Sequence, residues 1–154
     1  TSAMTLLGYA DWERSEGASY LEIAEWIQRH CMNVDENLTE LFRRIVFNIA
    51  VSNCDDHLRN HGFIYSPKGW TLSPAYDLTP DPAGYGLKLN ISETDNSLDF
   101  DLALSIAPYL GIKKDKAMAI VEQIKSVVAE WRKVASRYGI SNSEQDLVEN
   151  AFRY

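Results

Sequence analysis

Apolar residues recur at helical spacing in two segments of the first third of the chain. Over residues 19–31, SYLEIAEWIQRHC, they fall three and four positions apart and follow a serine that suits an N-cap. Over residues 38–52 the apolar stripe is wider, and it follows an Asn-Leu-Thr-Glu sequence at 37–40 that resembles a capping box. These patterns predict two helices, of which the second is central to the core.

Between residues 61 and 91 the pattern changes from helical to strand-like. HGFIY, SPKG and WTLS, at 61–73, predict two short aromatic strands around a Pro/Gly turn. The segment PAYDLTPDPAGYG at 74–86 is rich in proline and glycine and predicts an irregular loop. Apolar and polar residues alternate over 85–91, YGLKLNI, which predicts a half-buried strand.

The last third of the chain again has helical patterns. We predict a helix over 99–110 that stops at Gly111, a long helix over about 115–138 that ends at Gly139, and a short helix from near Ser143. The predicted fold class is therefore mainly α with a small β-hairpin insert (α+β). The length of 154 residues suits one domain, 1–154, with a single core.

Composition and charge argue against several classes of protein. The chain has 15 basic and 22 acidic side chains and a net charge of −7, which argues against direct binding of nucleic acid. The two cysteines, Cys31 and Cys54, are too few for a disulfide framework, so we expect a reduced, cytoplasmic setting. No apolar run reaches the roughly 18 residues of a membrane span, so we expect no membrane partner.

Polar side chains cluster directly after the most apolar predicted helix. The sequence NCDDHLRN at 53–60 contains Asp55 and Asn60, and Asp77 follows 22 residues after Asp55, just beyond the predicted hairpin. A hairpin returns the chain close to its start, so we expect Asp77 to lie near the 55–60 loop. Two carboxylates and an amide oxygen suit Mg²⁺ when substrate phosphates complete its coordination. The chemistry indicated is phosphoryl transfer, with Asp55 orienting or deprotonating a hydroxyl.

Other interpretations of the same residues remain open at this point. The loop could be a solvated turn after a helix, with Asp56 a solvated neighbour of Asp55. Cys54, His57 and His61 have a spacing that could belong to a zinc site, although structural zinc takes four ligands. A metal-dependent phosphohydrolase could use the same carboxylates.

Two longer stretches make the resemblance to a known family specific. FRRIVFNIAVSNCDDHLRNHGFIY at 42–65, followed by GWTLSPAYDLTP at 69–80, resembles the HipA-type serine/threonine kinases, which are the toxins of toxin–antitoxin modules. The spacing Asp-x4-Asn is that of a protein-kinase catalytic loop, whereas the usual Asp-Phe-Gly is absent. The resemblance covers nearly the whole chain and implies a protein-kinase-like C-terminal lobe.

The resemblance implies a role for each residue that matches the family's motifs. Asp55 would be the catalytic base, and His57 would lie near the transferred phosphate. Asn60 and Asp77 would bind Mg²⁺, and Arg59 would occupy the family's basic position at the cofactor. The implied cofactors are ATP and Mg²⁺.

The resemblance also implies partner proteins and an N-terminal lobe that these residues do not include. Neither a Gly-rich loop nor a lysine upstream of the catalytic loop is present, so we expect the chain to be a piece of a longer protein whose N-terminal lobe clamps ATP. The implied substrate is a protein, with an aminoacyl-tRNA synthetase as a candidate, and the implied partner is a HipB-like DNA-binding antitoxin. The alternative is a non-catalytic module that binds an antitoxin or another partner.

Overall fold

The computed structural model describes residues 1–10 and 17–154. Within these residues it contains seven α-helices and one two-stranded antiparallel hairpin, so the mainly helical α+β fold class is confirmed. In chain order the elements are α1 Ala3–Leu6, α2 Tyr20–His30, α3 Val34–Ala50, β1 Phe63–Ser66, β2 Gly69–Leu72, α4 Phe100–Ile106, α5 Lys114–Val128, α6 Trp131–Arg137 and α7 Asn142–Val148. Short 3₁₀ turns occur at Leu58–Asn60, Ala107–Leu110 and Glu149–Ala151.

Helix α3 is the centre of the core, as its wide apolar stripe predicts. It packs against α2, α4 and α5. Its stripe is fully buried because apolar residues three and four positions apart lie on one helix face. The buried apolar members are Leu38, Leu41, Phe42, Ile45, Val46 and Ile49. This helix carries the loop that follows it, so the position of that loop is set by the core.

The capping box predicted at the start of α3 is wrong. The helix begins one turn earlier, at Val34, with Asn33 as its N-cap in a left-handed conformation at φ 48°. Asn37 is therefore inside the helix and is buried. Its Oδ1 accepts hydrogen bonds from the backbone N–H of Leu72 at 2.7 Å and from the hydroxyl of Thr71 at 3.1 Å. Asn37 thus joins α3 to strand β2 instead of capping the helix.

We expect Asn37→Ala to destabilise the protein by about 1–3 kcal/mol, because the buried N–H of Leu72 would lose its acceptor. Urea unfolding followed by circular dichroism measures the change. Asn142→Ala is the matched control, since Asn142 is exposed at the start of α7 and its replacement should change the free energy of unfolding by at most about 0.5 kcal/mol. Equal stabilities for the two variants would contradict the bridging role.

The predicted hairpin is confirmed, with a two-residue turn at Pro67 and Lys68 between paired Ser66 and Gly69. It docks on the end of α2, where the backbone N–H of Met32 donates to the carbonyl of Trp70 at 2.9 Å. The Trp70 ring also packs edge-on against Trp26, with centroids 5.7 Å apart. The hairpin is therefore anchored to α2 through β2. After β2 the backbone N–H of Ser73 donates to the carbonyl of Gly62 at 2.8 Å, so the chain returns close to the end of the loop that follows α3.

The strand predicted over residues 85–91 is wrong, although its buried positions are right. Leu87, Leu89 and Ile91 are buried, but Tyr85 is 93% exposed. The backbone makes only isolated bridges, Gly86 with Ser97 and Asn90 with Ser19. Among the described residues no strand pairs with the segment along its length, so it is an irregular segment that covers the core.

The predicted helix over 115–138 is two helices, because α5 ends at Val128 and α6 begins at Trp131. The Trp131 ring stacks on Phe152 at 4.0 Å, and this packing holds α6 at the turn. Gly139 has φ 78°, as expected of a residue that ends a helix. Among the described residues, none of the helices has the length and apolar character needed to cross a membrane.

Candidate functional site

The first half of the candidate site is the loop that leaves α3. Ser52 turns the chain with φ 51°, and the backbone N–H of Asn53 donates to the carbonyl of Asn48 at 2.8 Å. Residues Leu58–Asn60 then form a 3₁₀ turn that starts at His57, whose carbonyl accepts from the N–H of Asn60 at 2.8 Å. The loop is therefore held by backbone hydrogen bonds to α3 and within itself.

The second half is the loop that follows β2 and carries Asp77. The guanidinium of Arg44, which is buried on α3, donates to the carbonyl of Ser73 where this loop begins. The hydroxyl of Tyr76 donates to the carbonyl of Arg59 at 2.5 Å. Asp77 itself has a left-handed backbone at φ 58°, a conformation that Asp adopts more often than most residues. These contacts hold the second loop against the first.

The two loops also approach closely at a later point, where Gly84 lies over Cys54. A Cβ atom at Gly84 would overlap the Sγ atom of Cys54, so the close approach requires a glycine. Nearby, the backbone N–H of Asp81 donates to the carbonyl of Ser52 at 3.2 Å. The second loop is thus fixed to the first on both sides of Asp77.

Asp55 and Asp77 line one polar pocket of about 260 Å³ between the two loops. Both residues are exposed, and no group among the described residues hydrogen-bonds either carboxylate. The lining is polar except for one proline and consists of Asn53, Asp55, Asp77, Thr79, Pro80 and Asp81. The structure therefore brings together two residues that are 22 positions apart in the sequence and leaves their oxygens open to a ligand.

The other residues expected at the site lie around this pocket and are not part of its lining. Asn60 is buried, and its side-chain N–H₂ faces the backbone carbonyl of Asp55 at 3.5 Å. His57 is half-buried, and its buried Nδ1 atom has no hydrogen-bond partner in the part of the chain that the structure describes. Arg59 is exposed, and its Nε–H donates to the Met4 sulfur at 3.3 Å. Asn60 thus adjoins Asp55, whereas the Arg59 guanidinium points toward α1.

Asp56 is not the solvated neighbour that the sequence suggests. It is 2% exposed, and its Oδ2 atom accepts hydrogen bonds from three side chains. The donors are the hydroxyl of Tyr20 at 2.5 Å, the amide of Asn48 at 2.7 Å and Nε2 of His61 at 2.9 Å. The two adjacent aspartates therefore have opposite environments, one open to solvent and one buried in a hydrogen-bond network.

The zinc interpretation of Cys54, His57 and His61 does not fit these contacts. The Nε2 atom of His61 is occupied by Asp56, and among the described residues no group of three or more metal-binding His, Cys, Asp or Glu side chains occurs. Burial also raises the pKa of the Cys54 thiol, which disfavours the thiolate that zinc requires. The cysteine–histidine spacing reflects the packing of the loop.

The donor set of the polar pocket does fit Mg²⁺. Mg²⁺ binds one or two protein carboxylates and takes its remaining ligands from water and substrate phosphates. Asp77 and Asp55 supply unpartnered carboxylates, and the N–H₂ group of Asn60 faces the backbone, so its amide oxygen is the remaining polar atom of that side chain. These residues could hold one hard cation with a phosphate ligand.

Sequence reasoning missed three residues at the site. Asp81 and Thr79 line the pocket, and their position four and two residues after Asp77 is the signal that could have indicated them. The third is Arg44, for which the sequence gives no signal, because nothing near it in the chain indicates which carbonyl it contacts. Its partner lies 29 residues away in the chain.

Comparison with known proteins found a relative and a matching family. A Haemophilus influenzae protein named "Putative kinase" is 38% identical over 66 residues, which is 42% of this chain and 19% of that protein. The chain thus spans less than two thirds of the length of this relative. The profile of the family described as "HipA-like C-terminal domain" matches residues 1–131, from α1 to the start of α6. The chain therefore belongs to the HipA-like C-terminal domain family.

Proposed function

We propose that the chain is the catalytic-loop lobe of a HipA-type serine/threonine protein kinase. The full-length natural protein would transfer the γ-phosphate of ATP to a hydroxyl group of a protein. Family membership and the kinase-named relative support this assignment. The single observation that carries it is the polar pocket in which the unpartnered carboxylates of Asp55 and Asp77 meet.

In this proposal each residue at the site has a separate role in phosphoryl transfer. Asp55 accepts the proton of the substrate hydroxyl, since its carboxylate is exposed in the pocket and unpartnered among the described residues. Asp77 and Asn60 would hold Mg²⁺, which would supply positive charge against the transferred phosphate. His57 precedes the 3₁₀ turn and Arg59 is its middle residue, and the family resemblance implies that both would act near the phosphates. For Arg59 this requires its guanidinium to turn away from Met4 of α1.

The proposal includes a second lobe and two macromolecular partners. An N-terminal lobe would clamp ATP over the pocket, because phosphoryl transfer depends on positioning the nucleotide. The family resemblance implies a protein substrate, with an aminoacyl-tRNA synthetase as the candidate, and a HipB-like antitoxin that restrains the kinase as part of a toxin–antitoxin pair.

The test is a phosphorylation assay on the full-length natural protein with γ-³²P-labelled ATP. We expect label on serine or threonine, either on the protein itself or on an added aminoacyl-tRNA synthetase. EDTA should abolish the transfer. Asp77→Asn should also reduce it, and Asp115→Asn is the matched control because Asp115 is exposed at the start of α5.

Two other outcomes would replace the proposal. Release of labelled inorganic phosphate without any phosphoprotein would identify a phosphohydrolase that uses the same pocket. The absence of any ATP turnover by a folded full-length protein that still binds an antitoxin would identify a non-catalytic binding module.

A further inference from the structure

The buried carboxylate of Asp56 joins elements that are distant in sequence. Its three donors come from α2, α3 and the segment just before β1, namely Tyr20, Asn48 and His61. Burial, followed by the charge of Asp56, raises the pKa of Tyr20 well above its usual value, so its hydroxyl keeps the proton that it donates. Hydrogen bonds to an ionised acceptor are stronger and shorter than neutral ones. Asp56 thus fixes the loop after α3 at its middle.

The network continues from Asp56 to the second loop. Asn48 donates to Asp56 with its amide N–H₂ and accepts, with its Oδ1 atom, from the N–H₂ of Asn53 at 3.0 Å. The same N–H₂ of Asn53 lies 3.4 Å from the backbone carbonyl of Asp77. Asn48 and Asn53 are each 1% exposed, so water does not replace these contacts. A continuous path of buried polar groups therefore runs from the residue after Asp55 to the backbone of Asp77.

Packing alone does not account for this arrangement. A buried charge is costly unless it is paired, and apolar residues of similar volume usually replace buried ionic groups without loss of stability. The path instead ends at the backbone of Asp77, which has a left-handed conformation and lines the same pocket as Asp55. What the network sets is the relation between the two loops of the pocket.

We propose that Asp56 is a positioning residue for phosphoryl transfer. Through Asn48 and Asn53 it fixes the position of the Asp77 backbone relative to Asp55. This inference rests on the proposed kinase function. Asp56 does not touch the reacting atoms. Its effect is to keep the two pocket carboxylates at a fixed separation before any ligand binds.

Hydrogen–deuterium exchange tests the positioning without a nucleotide or metal. The full-length natural protein is compared with Asp56→Ala, Asp56→Asn and Asn53→Ala, and Asp115→Asn is the control. We expect faster exchange in peptides spanning residues 76–84, where the N–H of Asp81 bonds to Ser52, and unchanged exchange in α5. Asp56→Asn keeps an oxygen acceptor, so its change should be smaller than that of Asp56→Ala.

Kinetics supply the second measurement. A displacement of about 1 Å can reduce a reaction rate on the order of 10²-fold, so Asp56→Ala and Asn53→Ala should lower kcat and raise the Mg²⁺ concentration for half-maximal activity. Compared with Asp56→Ala, Asp56→Asn should have a higher kcat and a lower Mg²⁺ concentration for half-maximal activity. A purely stabilising role would leave the kcat and the Mg²⁺ midpoint of the folded protein unchanged.

Each result decides the proposal. Unchanged exchange over residues 76–84 in folded Asp56→Ala would overturn it, as would an unchanged Mg²⁺ midpoint in an active variant. If Asp56→Ala does not fold, Asn53→Ala decides, because it cuts the path next to Asp77 and leaves the three donors of Asp56 in place. If the wild-type protein transfers no phosphate, the kinase function fails, and the exchange measurement alone decides whether Asp56 holds the second loop.

Discussion

If the proposed kinase function is right, we expect replacement of Asp55 by asparagine in the full-length natural protein to lower kcat for phosphoryl transfer by about 10²–10⁴-fold, the usual effect of removing a general base. Asparagine has nearly the same shape but cannot accept the proton of the substrate hydroxyl. Initial rates at saturating ATP and protein substrate measure the effect. The loss should appear in kcat with little change in the KM for ATP, because the metal-binding roles are proposed for Asp77 and Asn60.

Asp55→Asn should lower the activity of the protein without lowering its stability. Asp55 is exposed and its carboxylate makes no hydrogen bond within the described residues, so Asp55→Asn should change the free energy of unfolding by no more than about 0.5 kcal/mol. Asp115→Asn, which also removes one exposed carboxylate, should leave kcat unchanged. A kcat for Asp55→Asn equal to that of wild type would remove Asp55 from the role of base.

The largest expected effect on stability comes from Phe42→Ala. Phe42 is fully buried on α3, the helix that packs against α2, α4 and α5 and carries the first loop of the pocket. Truncating a buried phenylalanine costs about 3–5 kcal/mol, since apolar burial is lost and a cavity remains. For a chain of this size the midpoint of thermal unfolding should fall on the order of 10 °C. Chemical denaturation and calorimetry measure both quantities.

Tyr85→Ala is the matched control for Phe42→Ala, because it removes an aromatic ring that is 93% exposed. Its free energy of unfolding should stay within about 0.5 kcal/mol of wild type. A large loss from Tyr85→Ala would show that Tyr85 packs inward, as the incorrect strand prediction required. A small loss from Phe42→Ala would contradict the central position of α3.

Local periodicity predicted the helices well and the irregular segments poorly. Helices α2 and α3 were predicted because apolar spacing reports which face is buried, and a helix satisfies its own backbone hydrogen bonds. The alternation at 85–91 also reported burial correctly, at Leu87, Leu89 and Ile91. A strand, however, needs a neighbour to pair with, and periodicity within one segment carries no information about a neighbour.

The same distinction applies to the candidate site. The two halves of the pocket were predicted because the hairpin between them is a local structure that brings its ends together. The sequence did not predict that Asp55 is exposed and Asp56 buried, since adjacent residues have the same local sequence. Only the positions of Tyr20, Asn48 and His61 distinguish the two aspartates. The break between α5 and α6 was missed for a similar reason, because the stacking of Trp131 on Phe152 is a tertiary contact.

The close approach of Gly84 to Cys54 has a consequence for how this pocket can vary between relatives. A Cβ atom at position 84 would overlap the Cys54 sulfur, so a larger residue there requires that sulfur to move or a smaller residue at position 54. The two positions are 30 residues apart and belong to different loops. The two positions should therefore change as a pair, and relatives that carry alanine at the position of Gly84 should carry glycine or alanine at the position of Cys54.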